Sequence, residues 1–375
     1  MVGKDVSPEE LFILTLQIFS MRLLVETVEG FERTCEEELE DISENIEVEK
    51  RMEGYMVLEA GKEDVFRINY LAGTLNRVLH VLNQFKVEKT EDCYKKISFN
   101  VSEFIEADQE FVVKVEKQGC DFSSNKLARE TGQKVVDLFK DETGKTLSVD
   151  LDKPEMVFRL YIFDDEAFFG FDTTKKSLNK RGYLEKEVDI PPILANCLVR
   201  YSGWDGETKL LDPFTKDGVV AVEAARIASR TPNKGRKFGF VDSKYYSNKK
   251  YSEIANRINS QMKVGDTGVK GCEKDISNAV RHAESAGVKV NFEEKTALEH
   301  SLKDYHVVFD TPFLPRKSKR KLIADYISEF ENKAVSSGLK SLTCTSRDPG
   351  FYSELEKDDK VVWNTFEAHI FEMDG

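Results

Sequence analysis

A chain of 375 residues has room for about two or three domains. Its formal net charge of -13 argues against general binding to polyanions, so any contact with nucleic acid must come from local basic patches. The six cysteines are scattered without a C-x-x-C pair, which favours reduced thiols in a cytosolic protein over disulfides or a zinc site. The histidine spacing likewise predicts no metal site.

Residues 1–20 are interpreted as an N-terminal extension. Ser7-Pro8-Glu9-Glu10 has the pattern of a capping box with an early proline, which predicts a short helix. The apolar run that follows, Leu11 to Phe19, is far too short to cross a bilayer. Acidic residues precede it, unlike the basic start of a signal peptide. We therefore expect no membrane partner.

Residues 21–87 are predicted to form a first domain. Strands are expected to begin near residues 21, 46, 55 and 77, with helices over 30–42 and 62–72. This βαββαβ order is typical of a ferredoxin-like domain. Its acidic residues, among them Glu26 and Glu36 to Glu38, are interpreted as solvated surface.

Residues 88–176 are predicted to form a second domain. A strand over 111–115 is followed by a serine-capped helix over 123–139 and by strands over 147–151, 156–162 and 167–171. A polar segment that begins SLNKRGYL then forms a linker, residues 177–188.

Residues 189–375 begin with a helix at Pro191-Pro192 and contain the stretch LLDPFTKDGVVAVEAA, residues 210–225. This stretch predicts a strand, a tight turn and the start of a helix, an arrangement that places backbone N–H groups and a helix dipole at a crevice where nucleotides bind. Later strands end at Glu273 and at Asp310. A polar, aromatic insertion, Thr231 to Tyr246, lies between the strand that ends at Asp212 and the strand that ends at Glu273. Alternating strands and helices with a final hairpin predict a Rossmann-type sheet, parallel except for one strand.

Three of these motifs together resemble those of the THUMP-domain guanine-N2 RNA methyltransferases. They are DPFTKDG at residues 212–218, the acid in KGCE at 270–273, and DTPF at 310–313; the family motifs read DPFCGSGT and NPPY or NLPY. The segment FVVKVEKQGCDFSSNKLARETGQ from residue 111 resembles the THUMP RNA-binding domain. The resemblance implies a methyltransferase that uses S-adenosylmethionine (SAM) and forms N2-methylguanosine in structured RNA, with tRNA and rRNA both open.

The resemblance also implies roles for residues in the third domain. Asp310 matches the acceptor of the exocyclic amine, Pro312 shapes the backbone there, and Phe313 matches the aromatic residue that stacks on a flipped base. The implied cofactor-binding residues are Asp212, Phe214, Gly218, Glu273 and Thr296. Of these, Glu273 matches the acid that accepts from the ribose hydroxyls.

Two departures from the family pattern affect the cofactor site. Lys216 and Asp217 replace the family's glycine and serine, and Thr296 stands where an acid caps the adenine amine. Forcing a non-glycine residue into positive φ costs about 1–2 kcal/mol, and losing a charged acceptor costs about 1–3 kcal/mol.

The residues expected to contact RNA are basic positions in and after the THUMP-like segment and in the loop after DTPF. They are Lys114, Lys117, Lys126, Arg129, Lys175, Lys176, Lys180, Arg181, Arg316 and Lys317.

The sequence leaves two main hypotheses of different class, and a third, binding of another nucleotide in the altered crevice, that has no positive support in the sequence. The first is an active RNA methyltransferase, favoured by the retained Asp212, Glu273, Asp310, Pro312 and Phe313. The second is a catalytically inactive RNA-binding paralogue, favoured by the changes at Lys216 and Thr296. The oligomeric state is left open.

Overall fold

The computed structural model describes residues 20–184, 188–312, 317–348, 350–352, 355–363 and 366–374. The predicted N-terminal helix over residues 7–19 lies outside this part of the chain. Within the described residues, no helix is both long enough and apolar enough to cross a membrane.

The first half of the chain is built on one sheet. Its strands are β1 (Ser20–Glu26), β2 (Glu47–Met52), β3 (Tyr55–Gly61), β4 (Arg77–Lys86), β5 (Glu110–Gln118), β6 (Ser148–Val149), β7 (Met156–Phe163) and β8 (Glu166–Asp172). Its helices are α1 (Glu32–Ile42), α2 (Lys62–Leu71), α3 (Asp92–Lys95) and α4 (Ser124–Thr143).

These eight strands lie in the order β2-β3-β1-β4-β8-β7-β5-β6. Strand β4 pairs with β8 from Leu79 opposite Asp172 to Lys86 opposite Glu166, so hydrogen bonding continues across the predicted domain boundary at residue 87. The division into ferredoxin-like and THUMP domains stays a prediction, but the strands of both belong to a single sheet.

Side-chain alternation along the strands supplies the two faces of this sheet. Leu23 and Val25 join the main core with the helices, whereas Leu24 lies in a small cluster on the opposite face with Tyr161 and Phe168. Helix α4 begins where the Ser123 hydroxyl accepts the N–H of Lys126 and ends at Gly144, whose φ of 72° is left-handed. The serine cap at the start confirms the prediction, whereas the helix continues four residues beyond the predicted end at residue 139, up to the glycine cap.

The second half of the chain forms a seven-stranded sheet. Its strands are β9 (Leu210–Asp212), β10 (Val269–Glu273), β11 (Asn291–Glu294), β12 (His306–Asp310), β13 (Ser341–Ser346), β14 (Glu356–Trp363) and β15 (Phe366–Asp374). Its helices are α5 (Pro192–Tyr201), α6 (Val219–Ala228), α7 (Asn248–Ser260), α8 (Ser277–Ala286) and α9 (Lys317–Val335).

The strand order in this sheet is β11-β10-β9-β12-β13-β15-β14. Strands β9 to β13 are parallel, and β15 runs antiparallel to both of its neighbours. This arrangement confirms the predicted fold class, including the single antiparallel strand. The carboxyl ends of β10, β9 and β12 consequently meet at one edge of the sheet.

The insertion between β9 and β10 packs against the first half of the chain. Phe238, Phe240 and Tyr246 belong to the main core of the N-terminal sheet, and the Phe240 ring lies 5.0 Å from the ring of Phe66 on α2. Because these aromatic side chains are buried, the insertion joins the two sheets.

Candidate cofactor and target site

Asp212 ends β9 and is buried at the centre of the predicted crevice. One carboxylate oxygen accepts the backbone N–H of Phe214 at 3.3 Å, but the other, Oδ2, is buried without a hydrogen-bond partner in the described chain. Burial raises the pKa of Asp212 to about 7, although the Phe214 N–H and the Lys216 charge act in the other direction. Asp212 therefore lines the crevice with one carboxylate oxygen that accepts no hydrogen bond.

Gly218 begins α6 with a φ of 82°, a left-handed conformation that glycine adopts without strain. A Cβ at this position would lie 2.7 Å from the Cβ of Ala279 on α8, so this glycine is required for close packing as well. Asp217 beside it accepts a hydrogen bond from Asn278 at 3.0 Å. The turn is thus held against α8, and its glycine matches the predicted position.

Lys216 has a φ of 47°, in the left-handed region where the family motif carries glycine. Its ammonium lies 3.2 Å from Oδ2 of Asp310 and 3.6 Å from Oδ2 of Asp189. The side chain therefore crosses the crevice from the β9–α6 turn to the end of β12.

Asp310 ends β12 and is 4% exposed. Its Oδ1 accepts the hydroxyl of Thr345 at 2.9 Å, and its Oδ2 pairs with Lys216. The next residue, Thr311, shares a hydrogen bond with the Tyr352 hydroxyl at 2.8 Å, and Pro312 is partly buried. Phe313 and Arg316 lie outside the described residues, as does the side chain of Lys317, the first residue of α9.

Phe214 lies at the boundary between the crevice and the core. Its ring is buried, with its centroid 4.9 Å from those of Phe309 and Phe330, and its backbone N–H donates to Asp212. Phe214 also lines the crevice, and its contact with the cofactor stays a prediction.

Glu273 ends β10, next to β9, and is half-buried. Thr296 precedes a short 3₁₀ turn, and its N–H and hydroxyl both donate to the Glu299 carboxylate, at 2.8 and 2.7 Å. The sequence has no acid at position 296. An exposed acid, Glu299, stands three residues later in the same turn, and the capping-box spacing T-x-x-E could have indicated it. Glu299 is thus a candidate acceptor next to position 296, although it does not line the crevice.

The basic residues predicted to bind RNA do not lie on one surface. Strand alternation places Lys114 and Lys117 on opposite faces of the sheet, and Lys126 and Arg129 lie on α4, which covers one of those faces. The exposed members are Lys114, Lys117, Lys126, Arg129, Lys176 and Lys180. RNA contact by these residues stays a prediction.

Two of the predicted RNA-binding residues contact other parts of the chain: for Lys175, which is 20% exposed, RNA contact stays a prediction, whereas the expectation for Arg181 is corrected. Lys175 donates to Asp242 at 2.8 Å, so it ties the THUMP-like segment to the insertion. The Arg181 side chain is 2% exposed and lies 3.2 Å from the Glu223 carboxylate. It also donates to the Gly73 carbonyl at 2.7 Å. Arg181 therefore joins the two halves of the chain and is not available to RNA.

Of the acidic residues interpreted as solvated, Glu38 is buried and Glu26 is partly buried. Glu38 is 2% exposed and accepts the N–H groups of Gly73 and Thr74. It also pairs with Arg200 at 2.8 Å. Burial raises the pKa of Glu26, an effect that Arg77 partly offsets. The acidic pattern had not distinguished these structural carboxylates from surface ones.

The crevice residues fit a cationic cofactor. The described lining contains four aspartates (Asp189, Asp212, Asp217 and Asp310), with Lys216 as its basic residue. Acidic side chains suit the sulfonium and ammonium groups of SAM, and Asp212 Oδ2 offers a buried acceptor. With the Lys216 side chain in place, however, the free volume is about 10 Å³, which is about what one water molecule needs.

A larger cavity of about 680 Å³ lies elsewhere, between α1, α5 and the end of α6. None of the residues predicted to bind the cofactor or the base lines it. The crevice at the strand ends is therefore the candidate site despite its small free volume.

The model of the RMKL-like methyltransferase domain family matches residues 181–369, and the THUMP domain model matches residues 90–172. The chain is 23% identical over 358 residues to the tRNA (guanine(6)-N2)-methyltransferase of Methanocaldococcus jannaschii, covering 90% of this chain and 93% of that protein. It is 26% identical to the ribosomal RNA large subunit methyltransferase K/L of Vibrio campbellii, covering 71% of this chain and 39% of that protein.

A solved structure has the same fold. SMU.472, a candidate methyltransferase crystallised with S-adenosylhomocysteine (SAH), superposes with a TM-score of 0.84 at 17% identity over 95% of this chain and 98% of that one. The matches confirm the resemblance inferred from the sequence, including a methyltransferase that uses SAM, and give no support to a catalytically inactive paralogue. Because its methyltransferase model matches half of the sequence, this chain belongs to the RMKL-like methyltransferase domain family and carries a THUMP domain ahead of that domain.

Proposed function

We propose that this protein methylates N2 of a guanosine in tRNA. The observation that carries the proposal is the Asp310 carboxylate, buried at the end of β12 beside Asp212, in a family whose methyltransferase domain here follows a THUMP domain. A carboxylate in this position can accept a hydrogen bond from an exocyclic amine and so orient the nitrogen toward an electrophile.

The choice of tRNA over rRNA rests on how the relatives align. The tRNA enzyme of M. jannaschii is matched over 93% of its length, whereas the rRNA enzyme of V. campbellii is matched over 39%. A chain with the domain content of the tRNA enzyme is best explained by the same class of substrate.

Each residue in the site then has a distinct task. When bound, SAM supplies an electrophilic methyl group, and Asp212, Gly218 and Glu273 would hold it, with Glu299 as a further acceptor. Asp310 accepts the N2 amine, and Thr345 fixes the Asp310 carboxylate by donating to Oδ1. The amine loses a proton as it gains the methyl group, and Asp310 lies where it can receive that proton.

The test is transfer of tritium from methyl-labelled SAM to tRNA and to rRNA fragments, with nucleoside analysis of the product. We expect N2-methylguanosine in tRNA. Asp310→Asn should lower the transfer rate about 10²–10³-fold without abolishing SAM binding, whereas the exposed Asp325→Asn on α9 should change neither the rate nor the affinity. Labelled rRNA with unlabelled tRNA, or a methylated base other than guanine, would contradict the proposal.

A further inference from the structure

The Lys216 side chain occupies the crevice that the cofactor and the target amine need. We propose that Lys216 is a resident plug whose ammonium holds the acceptor carboxylate of Asp310 until SAM displaces it. The inference rests on the proposed function, because it assigns Asp310 to the target amine.

Both carboxylate oxygens of Asp310 already accept a hydrogen bond. Oδ1 accepts the Thr345 hydroxyl at 2.9 Å, and Oδ2 accepts from Lys216 at 3.2 Å. Each oxygen keeps a second lone pair, but the crevice beside them has a free volume of only about 10 Å³, so an incoming amine needs one of the two donors to move. Thr345 is buried on β13, whereas the Lys216 side chain is 21% exposed and has Asp189, 63% exposed, as a second partner. Lys216 is the donor that can leave.

The backbone at position 216 favours removal of this side chain. Its φ of 47° lies in the left-handed region that glycine adopts readily. Lys216→Gly therefore preserves the turn between β9 and α6 while emptying the crevice. A lysine that replaces glycine where the backbone suits glycine indicates a role for its side chain.

Charge predicts which ligand is most affected. The Lys216 ammonium is paired with aspartates that would otherwise be available to the sulfonium of SAM. The ammonium and the sulfonium are both positive, so they would repel each other at short distance. SAH has no charge on its sulfur. The plug should therefore weaken SAM binding more than SAH binding.

The experiment is isothermal titration of SAM and SAH into the full chain and its variants. Lys216→Gly should bind SAM about tenfold more tightly than the unmodified protein, which is about 1.4 kcal/mol, with a smaller gain for SAH. Lys216→Met, which keeps the bulk without the charge, should shift the SAM-to-SAH preference in the same direction. Unchanged or weaker SAM binding by Lys216→Gly would overturn the plug, as would failure of every variant to bind.

Lys175→Gly is the matched control. Lys175 also has a positive φ, 65°, is 20% exposed and pairs with an aspartate, Asp242, but it lies outside the crevice. It should leave both affinities unchanged.

Methyl transfer to tRNA is measured separately. Tighter SAM binding by Lys216→Gly without any transfer would refute the proposed function alone. Transfer by the unmodified chain without tighter binding would refute the plug alone.

Discussion

Replacing Arg181 with alanine should destabilise the fold, although the sequence pattern assigned this residue to RNA. Its guanidinium lies between the linker and α6, with the Glu223 carboxylate 3.2 Å from Nε. It also donates to the Asn233 side chain at 3.0 Å and to the carbonyls of Leu178 and Gly73 at 3.0 and 2.7 Å. In Arg181→Ala, every one of these acceptors loses the hydrogen bond that Arg181 donates.

The magnitude follows from burial. Removing one partner of a buried ion pair costs about 3–5 kcal/mol, because the remaining charge is left without compensation. Glu223 is fully buried but keeps the Tyr183 hydroxyl at 2.8 Å, the Asn196 amide at 2.9 Å and Arg226 at 3.4 Å. Burial opposes ionisation of Glu223, but Arg181 and Arg226 outweigh it and hold its pKa below the usual value. We therefore expect the lower end, about 3 kcal/mol.

Urea unfolding at pH 7 measures this loss, with Lys180→Ala as the control. Lys180 is the preceding residue, is exposed, and should change the free energy of unfolding by no more than about 0.5 kcal/mol. If Lys180 contacts a phosphate, its variant should instead bind RNA more weakly, with the salt dependence of log K reduced by about one. Arg181→Ala should bind RNA normally under conditions where it remains folded.

The burial argument would be refuted by an Arg181→Ala protein that unfolds like the unmodified chain but binds RNA as weakly as Lys180→Ala. A double variant, Arg181→Ala with Glu223→Gln, should be less destabilised than the sum of the single variants because the uncompensated charge is gone.

Three further substitutions test other parts of the site and fold. The pKa of Asp212 is raised to about 7 in the folded chain, so its carboxyl group keeps a proton that the unfolded chain releases near pH 4. The free energy of unfolding of the unmodified protein should therefore fall by up to about 4 kcal/mol as the pH rises from about 4 to about 7. Urea unfolding at pH 5 and pH 8 should show a smaller fall for Asp212→Asn; an equal fall would contradict the assignment. Gly218→Ala should lower the melting temperature, because its Cβ would lie 2.7 Å from that of Ala279 at a φ of 82°, and Ala279→Gly should restore part of the loss. Glu38→Gln should lower the free energy of unfolding by about 1.5–3 kcal/mol in chemical denaturation, since the Glu38 carboxylate accepts charge-assisted hydrogen bonds. The exposed Glu37→Gln should lower it by almost nothing.

Local patterns in the sequence predicted most of the elements. The helix that ends at Ile42 and the strands that end at Glu273 and at Asp310 end where the sequence predicted, because apolar periodicity and capping residues act over a few residues. Motif order also located Asp212, Glu273 and Asp310 correctly at neighbouring strand ends. In a parallel sheet, strand direction alone brings these ends to one edge.

The errors concern side chains whose environment is made by distant parts of the chain. Arg181 and Lys180 are adjacent basic residues in a polar linker, and no local signal separates the buried one from the exposed one. Thr296 was interpreted as the loss of an acid because the family motif specifies a single position. In the folded turn, the Glu299 carboxylate lies 2.8 Å from the Thr296 N–H.

The sequence by itself determined the order of strands and helices, the chemistry available at each strand end, and the family. These properties depend on short-range periodicity and on residue identity. Only the tertiary structure decided that one sheet continues across residue 87, that Arg181 lies between the two halves, and that the Lys216 ammonium rests on Asp310. Burial and ion pairing depend on contacts between segments tens to hundreds of residues apart, so they are fixed only when the whole chain is packed.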